Sequence, residues 1–163
     1  MNPTLNKTDF DDLTTTLKDL AYAYLEKYNP SKQQLKIYLL KKYLTKIKGS
    51  KTKKEVSLLI DQIVMRLEEN KFLNDEFYTD SKARMFLRRG YSINKINQSL
   101  RIKGIEDRYI KKSIDKIKEE NIEPDFVSAI KLCKRRRIGP LRPTANRELF
   151  YKKDMGILAR GGF

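Results

Sequence analysis

The chain has 163 residues, 39% of them hydrophobic and 35% charged, with 36 Lys and Arg against 21 Asp and Glu for a net charge of +15. With 5 Pro and 7 Gly it lacks the turn residues of a β-sandwich or barrel. A single Cys excludes an internal disulfide framework, the absence of His removes imidazole bases and ligands, and no apolar run reaches the ~20 residues of a membrane-spanning helix.

Residues 1–12 carry no hydrophobic period and read as a flexible tail without a signal-peptide core, so a cytoplasmic protein is expected. From Leu13 the apolar residues fall at helical spacing through Leu17, Leu20, Ala21, Tyr24 and Tyr28. "NPS" breaks this helix. Ser31 with Gln34 has the form of a capping box for a second helix through Leu35, Tyr38, Leu39 and Tyr43. "KGSKTKK" reads as a flexible loop. The third helix presents Val56, Leu59, Ile60, Ile63, Val64 and Leu67, a face broad enough for two neighbours. A fourth starts near Asn74 or Asp75, with Phe77, Tyr78, Ala83, Phe86 and Leu87 inside and Gly90 as a left-handed stop. Ser92 caps a fifth (Ile93, Ile96, Leu100), which Gly104 ends. A sixth runs from Glu106 with Tyr109, Ile110, Ile114 and Ile117 inward. Pro124 opens a seventh whose inner face is read as Phe126, Ala129, Ile130 and Cys133. After "IGPLRPTAN" an eighth begins near Asn146 and carries Leu149, Phe150, Met155 and Leu158.

The phrase "YSINKINQSLRIKGI" (Tyr91–Ile105) echoes "YNPSKQQLKIYLLKKY" before it and "YKKDMGILARGGF" after it. The chain is therefore expected to be all-α and built of tandem three-helix repeats, about two and two-thirds copies. The expected bounds are repeat 1 over 13–70, repeat 2 over 71–122, and a partial repeat 3 over 123–163 that lacks its third helix. Units this small complete their cores by stacking on neighbours. Chance echoes among helices are the alternative.

No catalytic residues, metal ligands or cofactor are expected. There is no GxxxxGK[ST] or GxGxxG loop. The carboxylates of "LEEN", "NDEF" and "KEEN" look like helix ends. Cys133 falls at an apolar helical position beside "KRRR", which would lower its pKa if it were exposed, but no base accompanies it. Most aromatic residues also fall at core spacing. The informative residues are basic: Lys82, Arg84, Arg88 and Arg89 on the fourth helix, Lys95, Arg101 and Lys103 on the fifth, Arg108, Lys111 and Lys112 on the sixth, then Lys134, Arg135, Arg136, Arg137, Arg142 and Arg147. Forked Arg donors suit phosphate and carboxylate. The charge points to nucleic acid, an acidic protein surface or an anionic membrane. A solvated surface encoded by an AT-rich genome would give the same composition.

At "RLEENKFLNDEFYTDSKARMFLRRGYSINKINQSLRIKGI" the sequence resembles the bacterial RecX family, modulators of the RecA recombinase. Phe72, Leu73, Asn74, Asp75 and Phe77 match the family's junction motif. Ile96, Leu100, Lys103, Gly104 and Ile105 match its I-x-x-x-L-x-x-K-G-I phrase, and "MGILARGGF" is similar to a late F-L-x-R-(R/K)-G-F, with Gly161 in place of a basic residue. The resemblance extends over residues 17–163. It implies three tandem three-helix repeats in an elongated, curved array that binds the RecA–single-stranded-DNA filament. It further implies inhibition of ATP hydrolysis, strand exchange and filament growth, hence negative modulation of recombination and the SOS response, without enzymatic activity. Single-stranded DNA is contacted directly or through the filament, no membrane is involved, and a monomer is expected. The competing reading is a helical nucleic-acid-binding module that acts independently of RecA. Two departures stand out. The loop "IKGSKTKKE" is longer and more basic than the family's, and the family continues past the final Gly-Phe with one more helix, so an exposed apolar face is expected in the last repeat.

Overall fold

The computed structural model describes residues 5–47 and 51–163. Over these the chain is helical and has no strand: α1 (Leu5–Lys27), α2 (Lys32–Lys42) with a π-helical turn over Tyr43–Ile47, α3 (Lys53–Glu69), α4 (Asp75–Arg88), α5 (Ile93–Ile102), α6 (Asp107–Glu120), α7 (Pro124–Arg136) and α8 (Arg147–Gly161). Residues 1–4 of the expected tail and 48–50 of the expected loop lie outside the described residues. Residues 5–12 are not tail but the first turns of α1. Once Leu13 and Leu17 are docked, extending a formed helix costs little. The hydroxyls of Thr14, Thr15 and Thr16 also donate back to the carbonyls of Phe10, Asp11 and Asp12. None of the described helices is long and apolar enough to cross a membrane.

The helix starts follow local chemistry. Ser31 and Gln34 form the reciprocal capping box read from the sequence. Thr52 and Glu55 form a second at the end of the basic loop. Asn74 Oδ1 accepts the Phe77 N–H at 2.9 Å and so caps α4. Gly90 adopts φ +76 at the end of α4.

Contacts divide the chain into two compact units, 1–78 and 79–163, with the division inside α4. In the first unit Leu13, Leu17 and Ala21 of α1, Leu35 and Leu39 of α2, and the six apolar residues of α3 form one core with Tyr43 and Leu73. The broad face of α3 meets both α1 and α2, as its width requires. The second unit buries Ala83, Phe86, Ile96, Leu100, Ile105, Ile110, Ile114, Ile117, Leu132 and Ile138.

Residues 123–163 do not separate from this second unit, because α7 is pinned to α4 and α5. A Cβ on Gly90 would stand 2.8 Å from both the Ser128 carbonyl oxygen and the Leu132 nitrogen. That close approach selects the small Ser128 as the inner residue of α7, with Leu132 one turn on, both buried. The inner face expected from spacing is thereby rotated: Phe126 is 62% exposed and Ile130 39%, while Cys133 is half-buried. Phe77, expected inside α4, is exposed as well. In α8 Leu149, Tyr151 and Met155 face solvent, so the last two helices carry exposed apolar surface.

Candidate basic interface

The basic residues singled out above separate by what their side chains touch. Arg84 is held inside the second unit: Nε lies 3.1 Å from Asp80, and its two terminal nitrogens donate to the Glu120 carboxylate at 2.7 and 2.8 Å. This fork raises the Arg84 pKa and lowers that of Glu120. Asp80 also accepts from the Ser113 hydroxyl, so the group ties α4 to α6. Arg101 pairs with Asp107 at 2.9 Å. Arg108 pairs with Glu106 at 2.9 Å and lies over the Tyr109 ring. Lys95 and Lys103 are half-buried. Lys82, half-buried, and Lys112, exposed, both have partners.

Arg142 and Arg147 organise the turn between α7 and α8. Arg142 donates twice to Asp154, at 2.6 and 3.0 Å, and stacks over Phe150. Asp154 is buried and also accepts the Gly139 N–H at 2.9 Å. The Arg142 guanidinium and this N–H hold the Asp154 carboxyl below its ordinary range. Arg147 donates to the carbonyls of Arg142 and Pro140.

Five arginines remain. Arg88, Arg89, Arg135, Arg136 and Arg137 are exposed, and none forms a side-chain hydrogen bond or ion pair with the described residues. They flank one contact, since Gly90 follows Arg89 and touches α7 at Leu132, one turn before Arg135 and Arg136. Lys134 shares that exposed last turn. Cations there are favoured by the helix dipole. Arg137 is different: it closes α7 at φ 52, the left-handed region, where Gly90 does the same for α4. A side chain there costs about 1–2 kcal/mol.

The half-buried Cys133 thiol is pushed up by burial and by the Asp154 charge, so the lowering that exposure beside the arginines would give does not occur. One expectation changes. The aromatic residues are not mostly core: Tyr22, Tyr28, Phe72, Phe77, Phe126 and Tyr151 are exposed. Sequence reading also passed over a cavity of about 230 Å³ between α1 and α3, whose rim includes Lys18, Tyr22, Arg66 and Asn70. Its only trace in the sequence is a pair of i,i+4 spacings on two helices.

No family model and no solved structure matches the chain. The regulatory protein RecX of Myxococcus xanthus (strain DK1622) is 33% identical over 151 residues, covering 91% of this chain and 80% of that protein. The chain belongs to the RecX family. Membership extends well beyond the middle segment that first carried the resemblance. It spans both compact units, so the internally paired residues and the open arginines lie within one family framework.

Proposed function

We propose that the chain is a negative regulator of a RecA-type recombinase. It binds the RecA–single-stranded-DNA filament and lowers ATP hydrolysis, strand exchange and filament growth by occupying it, without chemistry of its own. The observation that carries this reading is the likeness, over 91% of the chain, to a protein named a regulatory protein RecX. The open arginines support it, because the filament presents phosphates and acidic side chains that forked donors fit. Arg88, Arg89 and Arg135–Arg137 are the proposed contacts. Lys134, Lys95, Lys103, Lys82 and Lys112 supply supporting charge, while Arg84, Arg101, Arg108, Arg142 and Arg147 shape the surface. Binding of this kind weakens as salt rises.

A tandem-repeat architecture belongs to the same proposal. Its support is a geometry that occurs twice. Ser31 caps α2 while Asp75, opening α4, accepts the Lys32 N–H at 2.8 Å; Ser92 caps α5 while Asp125, opening α7, accepts the Ile93 N–H at 2.7 Å.

The test is RecA's DNA-dependent ATP hydrolysis, titrated with this protein beside a DNA-binding assay on the protein alone. Loss of hydrolysis at ratios too low to coat the DNA is the expected result. Loss only at DNA saturation would transfer the function to the second reading, a nucleic-acid-binding module independent of RecA, which the net charge of +15 favours.

A further inference from the structure

The α1–α3 cavity combines features that the other described cavities lack. It is walled by Tyr22, a residue 47% exposed whose ring packs edge-on with that of Phe72 at 5.8 Å. Ala21 and Leu67 line it with small and apolar surface. Two cations, Lys18 and Arg66, stand at it with Asn70, and no carboxylate lines it. Neither cation forms a hydrogen bond or ion pair with the described residues. Elsewhere the cations that line cavities have acidic company. Arg101, Arg108 and Lys111 share theirs with Asp107 and Asp115, Lys118 also lines one with Glu123 and Asp125, and Lys36 pairs with Asp61. At about 230 Å³ the space is below the ~300–1,000 Å³ of sites for drug-sized ligands, so it admits one ring and little more.

We infer that this cavity takes one nucleotide of a single-stranded nucleic acid. The base stacks on Tyr22, the Asn70 amide meets its polar edge, and Lys18 and Arg66 hold the adjoining phosphate. The chemistry uses every exposed group present. An open ring stacks any base, an amide offers both donor and acceptor, and two unbalanced cations attract a strand's backbone. An acidic peptide would engage the cations and leave the ring idle. The site lies in the first compact unit, whereas the arginines proposed for the filament lie in the second, so the inference does not rest on the filament reading.

The chain contains no Trp, so a Tyr22→Trp variant places a unique fluorophore at the cavity. The full-length variant is titrated with a short oligothymidylate, without recombinase, while a labelled copy of the strand reports binding by anisotropy. The expected result is stacking-quenched emission that tracks the anisotropy, with the midpoint raised about tenfold by Lys18→Gln with Arg66→Gln. Tyr22→Ala in the original chain should weaken binding by a similar factor of about ten. None of these side chains is in the core, and thermal melts check the fold of each variant. Should the indole not be tolerated, the charge-neutralised pair alone tests the site by anisotropy. The inference is overturned by binding without quenching, by the absence of strand binding, by equal affinity in the neutralised pair, or by equal quenching with polyglutamate.

Discussion

Asp125 Oδ1 accepts the backbone N–H of Ile93 at 2.7 Å, so the first turn of α7 closes the first turn of α5. The Ser92 hydroxyl accepts from Lys95 at the same helix end, and the Ser92 N–H donates to the Gly161 carbonyl. Three otherwise orphaned donors of α5 are thus satisfied, one by its own N-cap and two by residues far apart in sequence. Asp125→Ala is expected to lower stability by about 0.5–2 kcal/mol, read from urea denaturation. Asp125→Asn, which keeps an acceptor, should recover most of it.

Arg137 holds a left-handed position that glycine would occupy at less cost. Arg137→Gly should therefore raise stability by roughly 0.5–1 kcal/mol, since relief of strain exceeds the added freedom of the unfolded chain. The same exchange should weaken filament binding and flatten its salt dependence. A charge reversal of Arg135, Arg136 and Arg137 to Glu should weaken binding further without unfolding the protein. Inhibition retained by a folded triple variant would relocate the surface.

Gly90 combines positive φ with backbone-to-backbone contact against α7. An added Cβ meets main-chain atoms that cannot rotate away. Gly90→Ala is expected to cost about 3 kcal/mol, and a melting curve that stays in place would show that α7 can shift outward.

The Asp154 carboxyl titrates below its ordinary range because Arg142 and the Gly139 N–H favour its charged form. A depressed folded pKa contributes stability above the unfolded carboxylate value, about 3.9, and that contribution is lost as pH falls through the lower folded value. Asp154→Asn should therefore melt at lower temperature than the original chain at neutral pH. Its melting temperature should also fall less between about pH 5 and pH 2. Parallel pH dependences for the two proteins would show that Asp154 does not couple folding to protonation.

Much of the helical order was legible in the sequence, because caps and hydrophobic period are local. Ser31, Ser92, Pro124 and Gly90 stand at the helix ends where their chemistry puts them. The start of α1 was not legible, since residues 5–12 have no apolar period and follow a helix nucleated further on. Nor was the face of α7. Phe126 and Ile130 are more apolar than Ser128, but the nearness of Gly90's backbone admits only a small residue at the contact.

The sequence by itself determined an all-helical, basic chain and its family, because composition, period and motif are properties of residues and their near neighbours. Which cations are open was decided only by tertiary structure. Arg84 and Arg135 look alike in the sequence, yet Glu120, distant along the chain, neutralises the first, and no carboxylate reaches the second. Charge pairing across helices depends on which faces pack, and packing is settled by the whole core at once. The same holds for the cavity at Tyr22: two ordinary i,i+4 pairs become one pocket only because α1 and α3 share a core through Leu17, Ala21, Ile63 and Leu67.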